Sequence, residues 1–519
     1  MTEASARTLF EWLEAHERDR PEAPAIISSG RMISFRELAE STRRLAAGLA
    51  SIGVGPRDVV AAQLPNCPEF FTLLLATAAR GATLQTMHMP YRRAELSNLL
   101  GHGEAKVAVA VSATKERQPA AEIVALLPDL PRLETVVSLG ISVEGATDFD
   151  DLAAAKPTAD TISTPDVDLP YVLLYTSGTT AGPKGVPHTA RRFLANASSA
   201  SSELHLTPSD RITSLAPFSH LYGLFTLQIG LAAGACAAMI PAFDPTSLLE
   251  DLAELAPTAL FTAPAHLAPF VANDLLQPEH LAKTRLVCMS GSTVPTPLAT
   301  AVDALLNDGS VIGLWGMTEL QVGTFGRTGD PFESRVSTAG RAAVGMDLRV
   351  VDSAGDALPA GSEGELQARG SSIFEGYLRS PEETEAAFTD DGWFKTGDLA
   401  SMDRDGFLRL TGRTKEIINR GGIKYNPTEI EALVLAHPLV SSCALLPVAD
   451  EILGERGCIC VEAREPSITL TELCALLDEH GVAKYKWPER IEFFDEFPMT
   501  PTRKVRRGVL AALLAERTS

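Results

Sequence analysis

Short apolar runs alternate with amphipathic stretches over the first four hundred residues. Residues 33–53 carry apolar side chains at helical spacing and end at a glycine, which predicts a helix. Most of the apolar runs are followed by a helical pattern; the clearest are DVVAAQLPN, KVAVAV, TVVSL, YVLLYTSG, TALFTAP and RLVCMSGS. Because strands that alternate with helices build parallel sheets, this pattern predicts an α/β fold with largely parallel sheets packed with helices.

The pattern changes near Gly340, where short alternating strands and turns begin. Residues 348–370 predict a β-rich subdomain, and residues 403–438 predict a hairpin that leads into a helix. The remaining residues have a mixed α+β pattern. We therefore predict a large N-terminal domain over residues 1–412 and a small α+β C-terminal domain over residues 417–519.

One stretch, residues 212–243, holds no Asp, Glu, Lys or Arg and is long enough on paper to span a bilayer. It also holds His220, Gln228, Pro217, Pro241 and several glycines, and no basic cluster flanks it. We interpret it as a buried strand, loop and helix inside a large core.

Composition narrows the class of protein. The chain has 519 residues, 45% of them hydrophobic and 21% charged, and a formal net charge of −21. Such a charge argues against a nucleic-acid partner, so an anionic ligand must be held by local groups and a metal ion. The N-terminus lacks the apolar region of a signal peptide, which makes the cytoplasm the expected location. The seven cysteines are scattered and are interpreted as reduced, mostly buried thiols.

The segment YTSGTTAGPKG, residues 175–185, concentrates hydroxyls and glycines before a lysine. It follows an apolar strand and precedes a helical pattern, which is where parallel-sheet proteins place ligand loops. Glycines let backbone N–H groups approach a phosphate, hydroxyls can donate to its oxygens, and Lys184 adds a positive charge. It is no Walker A loop, because Pro183 precedes the lysine and Gly185 follows it. Taken alone, it is either a phosphate loop or a flexible linker.

Five further motifs follow this loop in order. They are APFSHLYG (216–223), GLWGMTE (313–319), DGWFKTGDLA (391–400), GRTKEIINRGGIKYNPTEIE (412–431) and PMTPTRK (498–504). Together with the loop they resemble the ANL superfamily of adenylate-forming enzymes, in its acyl-CoA and aryl-CoA synthetase branch. The resemblance covers nearly the whole chain. It implies ATP, Mg2+ and coenzyme A as cofactor and substrates, and a carboxylic acid as the other substrate.

The implied reaction brings a carboxylate toward the α-phosphate of ATP. Like unit charges 4 Å apart repel by about 4 kcal/mol at an effective dielectric constant of about 20, on the order of a thousandfold in rate. By the resemblance, Glu319 holds Mg2+, Thr318 contacts phosphate, Lys504 bridges the carboxylate and the α-phosphate, and Lys184 assists the departing pyrophosphate. Without the other motifs, Lys504 would be read as a solvated lysine.

The resemblance also assigns nucleotide contacts. Asp398 takes both ribose hydroxyls and Arg413 completes that contact; a turn residue and a surface charge are the alternatives. Trp315 stacks on adenine or is a core tryptophan. The remaining implied ligand contacts of the phosphate loop and of the acyl and adenine pockets are Thr176, Ser177, Gly178, Thr179, Thr180, Gly291, Ser292 and Gly316.

For the acid, the resemblance places His220 beside the reacting carboxylate, with a satisfied core histidine as the alternative. The pocket wall is expected around FSHLYGLF, TAPAHL and MSGSTV, which contain no Asp, Glu, Lys or Arg. This favours a medium-sized apolar, cyclic or aromatic acid over amino acids and dicarboxylates.

A hinge over residues 413–416, centred on Lys415, is implied between the two domains. Gly421 and Gly422 allow a pantetheine arm to pass closely, because glycine has no Cβ. The resemblance therefore implies a mobile C-terminal domain that rotates between adenylation and thioester formation.

Four positions depart from the family pattern: Ala181, Ala190, Ile423 and Arg503. None removes a group that the chemistry requires. Arg503 replaces a glycine before the catalytic lysine, which leaves the local backbone conformation open.

Three functions are compatible with the sequence. The leading one is an AMP-forming acid–CoA ligase, and the alternative is a ligase that loads a separate carrier protein. A basic patch for the CoA 3′-phosphate would favour CoA, with Lys424, Lys484 and Lys486 as candidates. A catalytically silent relative is the third, although Lys504, Glu319, Asp398 and Arg413 are all present. We expect no integral membrane association, and a monomer or homodimer.

Overall fold

The computed structural model describes the chain except for residues 1–7, 159, 164–165, 177–183, 422, 436, 438, 451, 464–467, 501–503 and 519. Two compact units are present. The first contains Met1–Val336, Ala342–Met346 and Gly370–Ala386, and the second contains Ser337–Arg341, Asp347–Arg369 and Ala387–Ser519.

The strands have the following bounds: β1 Pro24–Ser28, β2 Arg31–Ser34, β3 Val59–Gln63, β4 Thr83–Thr86, β5 Val107–Val111, β6 Thr135–Leu139, β7 Thr147–Asp148, β8 Pro170–Thr176, β9 Lys184–Thr189, β10 Arg211–Ser214, β11 Cys236–Met239, β12 Ala259–Thr262, β13 Leu286–Met289, β14 Ser310–Met317, β15 Gln321–Phe325, β16 Arg341–Ala342, β17 Met346–Val351, β18 Glu363–Gly370, β19 Phe394–Met402, β20 Leu408–Arg413, β21 Ile418–Arg420, β22 Ile423–Tyr425, β23 Val440–Asp450, β24 Gly454–Ala463 and β25 Arg490–Phe493.

The α-helices have the following bounds: α1 Leu9–Asp19, α2 Phe35–Ser51, α3 Pro68–Ala79, α4 Arg93–His102, α5 Pro119–Val124, α6 Phe149–Ala153, α7 Ala190–Glu203, α8 Leu221–Ala233, α9 Leu248–Leu255, α10 Pro264–Ala272, α11 Thr296–Asp303, α12 Phe332–Ser337, α13 Pro381–Ala387, α14 Pro427–Val434, α15 Leu470–Glu479 and α16 Arg507–Thr518.

Two large sheets form the first unit. The nine-stranded sheet has the order β16-β15-β14-β13-β12-β10-β11-β1-β2, and the seven-stranded sheet has the order β7-β6-β5-β3-β4-β8-β9. Pairing is parallel from β14 through β13, β12, β10 and β11 to β1 and from β7 through β6, β5, β3 and β4 to β8. The predicted α/β fold with parallel-rich sheets is confirmed.

Local sequence explains why these elements form where they do. Ser34 and Glu37 make a reciprocal capping box at the start of α2, the helix predicted over residues 33–53. The strand segments are buried on both faces, as in β4, β12 and β13, because helices cover both sides of a parallel sheet.

The uncharged stretch over residues 212–243 forms β10, α8 and β11, as predicted for a buried strand, loop and helix. Residues Leu221 to Leu231 of α8 are buried on every face of the helix. Gly234 ends the helix with φ of +68°, a conformation that favours glycine. Among the described helices, none is long and apolar enough to cross a membrane.

The second unit contains two smaller sheets. A four-stranded sheet, antiparallel from β18 through β19 to β20, has the order β17-β18-β19-β20, which matches the predicted β-rich subdomain. A five-stranded sheet has the order β22-β21-β24-β23, with β25 parallel to β24. Helices α14 and α15 pack on one side of it through Ile430, Val434, Leu473 and Leu477. The domain limits at residues 412 and 417 stay a prediction.

All seven cysteines are free thiols, five of them buried. The described residues hold no group of three or more His, Cys, Asp or Glu side chains that could bind a metal ion by themselves.

Candidate active site

The phosphate loop joins two antiparallel strands. Thr176, the last residue of β8, is paired with Lys184, the first residue of β9. The helical pattern predicted after the loop forms α7, which begins at Ala190, and the strand β9, which was not predicted, lies between the loop and this helix. This segment forms a strand of a hairpin because Val186 and His188 are buried where β9 pairs with β8. Ser177, Gly178, Thr179, Thr180 and Ala181 lie outside the described residues.

Lys184 is held by two side chains that the sequence interpretation missed. Its Nζ lies 3.1 Å from Oε1 of Glu383 and 4.7 Å from the ring centroid of Tyr377. Tyr377 donates its hydroxyl hydrogen to Oε1 of Glu319 over 3.0 Å. Burial and the neighbouring Glu319 carboxylate raise the pKa of Tyr377, and hydrogen bonding to Lys184 lowers the pKa of Glu383. Tyr377 thus contacts both Lys184 and Glu319.

Glu383→Gln is expected to lower the KM for ATP by about two- to fivefold, the range of a partly exposed ion pair. The ion pair with Glu383 competes with the predicted contact of Lys184 with pyrophosphate, and the amide removes that competing charge. Glu382→Gln is the matched control, because Glu382 is exposed and adjacent. Steady-state kinetics at saturating acid measure the change; equal effects of the two substitutions would contradict it.

Thr318 and Glu319 lie in the tight turn between β14 and β15. The turn is closed by a hydrogen bond from the Leu320 amide to the Met317 carbonyl, 3.2 Å. A Cβ on Gly316 would lie 2.2 Å from the Gln321 carbonyl oxygen, so only glycine fits there. Glu319 is 7% exposed, and Gln321 adopts a φ of +67°. The turn therefore holds the buried Glu319 carboxylate in a fixed position.

His188 supports this turn from β9. Its Nε2 donates to the Thr318 carbonyl over 2.6 Å, and its Nδ1 lies 3.5 Å from the Gln321 amide nitrogen. The residue is fully buried, and burial lowers its pKa to about 4. The ring is therefore neutral at pH 7 and acts as a hydrogen-bond donor. The nearness of His188 to the loop in sequence was visible, but its contact with Thr318 was not.

The donor set at Glu319 fits Mg2+. This ion keeps several waters and is commonly bound through one or two carboxylates together with substrate phosphates. One buried carboxylate with a neighbouring threonine hydroxyl meets that requirement, whereas a closed all-protein metal cage would need more ligands than the described residues gather.

His220 is the N-cap residue of α8. Its Nδ1 accepts a hydrogen bond from the Tyr222 amide over 3.2 Å, so the neutral ring carries its proton on Nε2. The positive end of the helix dipole favours an anion at this place. Both features suit a histidine that contacts a carboxylate.

His88, which the sequence interpretation missed, stacks on His220 with ring centroids 6.2 Å apart. Its Nδ1 lies 2.7 Å from the Ser219 hydroxyl oxygen. Burial lowers the pKa of His88 to about 4. His88 follows β4 of the seven-stranded sheet and Ser219 follows β10 of the nine-stranded sheet, so this bond joins the two sheets.

His88→Asn is expected to reduce the loss of folding free energy that the protein shows as the pH is lowered. Between pH 4 and about 6.5 the unfolded chain protonates this histidine while the folded protein does not, so stability falls as pH falls through that window. The wild-type protein should lose about 2 kcal/mol more than the variant between pH 8 and pH 5. Urea unfolding measures it, with His205→Asn at an exposed site as control. Equal pH dependence of wild type and variant would contradict the expectation.

The three predicted pocket stretches lie at one edge of the nine-stranded sheet. They follow the carboxyl ends of β10, β12 and β13, which are parallel neighbours. Gly291 has φ of +94°, and Ser292 beside it is exposed. Tyr222 is buried and donates to the Cys288 carbonyl over 2.7 Å.

Trp315 is 5% exposed, and its ring covers Gly323 of β15. A Cβ at Gly323 would lie 2.4 Å from that ring, so the glycine makes room for the tryptophan. Its stacking on adenine stays a prediction.

In the second unit, Asp398 and Arg413 face each other across β19 and β20. Nε of Arg413 lies 2.9 Å from Oδ1 of Asp398, and Asp398 is 5% exposed. The predicted ribose contacts therefore form a preassembled ion pair.

Lys504 lies in the same unit and interacts with this pair. It is an exposed residue, but the protein around its ammonium group lowers the pKa, Arg413 lowers it further, and Asp398 opposes both. Its backbone amide donates to the Thr500 hydroxyl over 2.9 Å. The lysine predicted to act at the α-phosphate is thus near the predicted ribose contacts; Arg503 lies outside the described residues.

Among the predicted hinge and thiol-side residues, Lys415 and Gly421 are exposed. Gly421 has φ of +60°, and Lys415 lies in a short 3-10 turn over Thr414–Glu416. Gly422 and the Lys424 side chain are outside the described structure. Of the two other lysines considered for the CoA phosphate, Lys486 is 2.6 Å from Glu429, whereas Lys484 is exposed above the Trp487 ring.

Two family models match most of the chain. Residues 13–378 match the AMP-binding enzyme model, and residues 429–504 match the AMP-binding enzyme C-terminal domain. The chain is 31% identical to the medium-chain fatty-acid–CoA ligase of Escherichia coli over 97% of this chain and 90% of that protein. It is 32% identical to the sulfoacetate–CoA ligase of Cupriavidus necator over 94% of each.

Among solved structures, ATP-bound MatB of Rhodopseudomonas palustris aligns with a TM-score of 0.88 and 28% identity, over 99% of both chains. The chain belongs to the AMP-binding enzyme family, the adenylate-forming acid–CoA ligases of the ANL superfamily.

Proposed function

We propose that this enzyme activates a medium-sized apolar, cyclic or aromatic carboxylic acid with ATP and transfers the acyl group to CoA. The observation that carries the choice of acid is the absence of Asp, Glu, Lys and Arg from the three pocket stretches after β10, β12 and β13. A second acidic or basic group on the substrate would lie there without a partner charge.

In the first step, a carboxylate oxygen bonds to the α-phosphorus and the bond to the pyrophosphate oxygen breaks. His220 orients the carboxylate through its Nε2 hydrogen, and Lys504 lowers the repulsion between the two anions. Asp398 and Arg413 fix the ribose, and Lys184 contacts the departing pyrophosphate. Bound Mg2+, held by Glu319 and the phosphates, would offset the negative charge.

In the second step, the thiol sulfur bonds to the acyl carbon, the bond to AMP breaks, and the thiol proton is released. Gly421 and Gly422 let the pantetheine arm pass closely, because glycine has no Cβ. We assign the first step to residues 1–412 with Lys504, the hinge to residues 413–416, and the thiol passage to residues 417–519. Family matches that end at residue 378 and resume at residue 429 support this assignment.

A screen of pyrophosphate release tests the choice of acid. Fatty, cyclic, aryl and steroidal acids are expected to give signal, with dicarboxylates and amino acids inactive. Products are then measured with CoA. Activity restricted to dicarboxylates or amino acids would overturn the proposed substrate class.

A carrier-protein acceptor is the second candidate, favoured by two exposed apolar side chains near the Gly421 turn. Ile423 is 52% exposed and Ile452 is 86% exposed. Leu453, which follows Ile452, accepts a hydrogen bond from the Gly421 amide over 2.7 Å. Higher kcat/KM with a phosphopantetheinyl carrier protein than with CoA would select this function.

A further inference from the structure

Two ion networks in the second unit support the two elements assigned to successive half-reactions. We name them the Arg507 network (Glu416, Glu431 and Arg507) and the Glu489 network (Arg420, Asp450, Arg456 and Glu489). The two networks share no residue. Arg507 lies three residues after Lys504, and Arg420 directly precedes Gly421.

The Arg507 network holds the segment that carries Lys504. Arg507 contacts both carboxylate oxygens of Glu431 and lies 3.2 Å from Oε2 of Glu416 through its Nε. It also donates to the Leu445 carbonyl over 3.2 Å. Glu431 is 8% exposed, so this end of the network is firmly embedded in the core.

The link from Arg507 to Lys504 is short and hydrogen bonded. The Arg506 amide donates to Pro498 over 2.7 Å, and Thr500 and Lys504 exchange hydrogen bonds of 2.7 and 2.9 Å. At the other end, Glu416 lies three residues after Arg413. The Glu416–Arg507 contact therefore ties the Lys504 segment to the segment that carries Arg413.

The Glu489 network holds the Gly421 turn from both sides. Oε1 of Glu489 accepts from Nε of Arg420 over 2.7 Å, directly before the turn. Oε2 of Glu489 lies 2.9 Å from Nη1 of Arg456, which is also paired with Asp450. Oδ1 of Asp450 accepts from the Leu453 amide over 2.7 Å, and the Leu453 carbonyl accepts from Gly421.

We propose that the two networks are separate positioning devices, with Glu416 and Arg507 placing Lys504 for adenylation and Glu489 placing the Gly421 turn for thioester formation. This inference rests on the proposed function. Partly exposed ion pairs contribute little to stability, and Glu416 and Glu489 are 30% and 27% exposed. We therefore expect these ion pairs to act on the geometry of the site, because small displacements of reacting groups lower the rate strongly.

The experiment compares Glu416→Gln with Glu489→Gln in the full-length enzyme. Adenylation is measured by acid-dependent ATP–pyrophosphate exchange, using whichever of octanoate, cyclohexanecarboxylate, benzoate and 4-hydroxycinnamate the wild type exchanges fastest. Thioester formation is measured from the synthetic acyl-adenylate of that acid, with CoA and with pantetheine. Glu416→Gln should lower exchange by about tenfold and leave thioester formation within about twofold.

Glu489→Gln should give the reverse pattern, with a raised KM for the thiol and an unchanged KM for ATP. Arg456→Gln breaks the same network from another side and should reproduce it. Asp347→Asn, which breaks an exposed pair with Arg369 in the same unit, is the matched control and should change neither partial reaction.

The inference is overturned if Glu416→Gln and Glu489→Gln lower both partial reactions by the same factor, if neither changes either reaction, or if the patterns are exchanged. A failure of the proposed function looks different, because the wild type itself would then form adenylate without acyl-CoA. In that case the thioester assay with pantetheine still shows which of the two networks affects thioester formation.

Discussion

Lys504→Ala is expected to lower adenylation by about a hundred- to a thousandfold. The ammonium group is the charge assigned between two anions, and its neighbours Asp398 and Arg413 are the predicted ribose contacts. Acid-dependent ATP–pyrophosphate exchange measures this step. Thioester formation from a supplied acyl-adenylate should change less than about tenfold, since the anion repulsion has already been overcome.

Two controls separate the loss of charge from a loss of structure. Arg506→Ala removes an exposed cation two residues away and should leave exchange nearly unchanged. Lys504→Arg retains the charge in a different shape and should recover part of the activity. If Lys504→Ala lowered both partial reactions equally, or if Arg506→Ala matched it, the assigned role of Lys504 would be wrong.

The fold was predictable from periodicity because the strands of the first unit are buried on both faces. Segments such as TALFTAP and RLVCMSGS have no polar face, and helical patterns follow them. The strand β9 escaped prediction because KGVPHT is short and contains a proline and a glycine. Its place in the sheet is set by antiparallel pairing with β8, which the residue pattern of the segment does not show.

The candidate site was predictable only where function is concentrated in short motifs. Glu319, Asp398 and Arg413 lie within such motifs, and the last two meet across a hairpin. His88, Tyr377 and Glu383 are isolated residues in unremarkable segments, and their roles depend on contacts with residues 58 to 199 positions away in sequence. Such contacts leave no periodic or spacing signal along the chain.

Glu319→Gln is expected to lower adenylation on the order of a hundredfold at fixed Mg2+, because it removes the carboxylate assigned to the ion. The substitution preserves shape and leaves an oxygen that can accept the Tyr377 hydroxyl. The variant should also require a higher Mg2+ concentration for half-maximal exchange. Isothermal titration of ATP with and without Mg2+ gives a second readout, in which the gain in affinity due to the metal is reduced.

Tyr377→Phe and Glu375→Gln distinguish the metal role from packing. Tyr377→Phe removes the hydrogen bond to Glu319 but keeps both the ring beneath Lys184 and the carboxylate, so Mg2+ dependence should shift only slightly. Glu375→Gln changes a carboxylate that is 69% exposed and should behave as wild type. An unaltered Mg2+ requirement in Glu319→Gln, combined with an unchanged midpoint of thermal unfolding, would exclude Glu319 as the metal ligand. Loss of activity in that case would have to come from the orientation of Tyr377 and, through its ring, of Lys184.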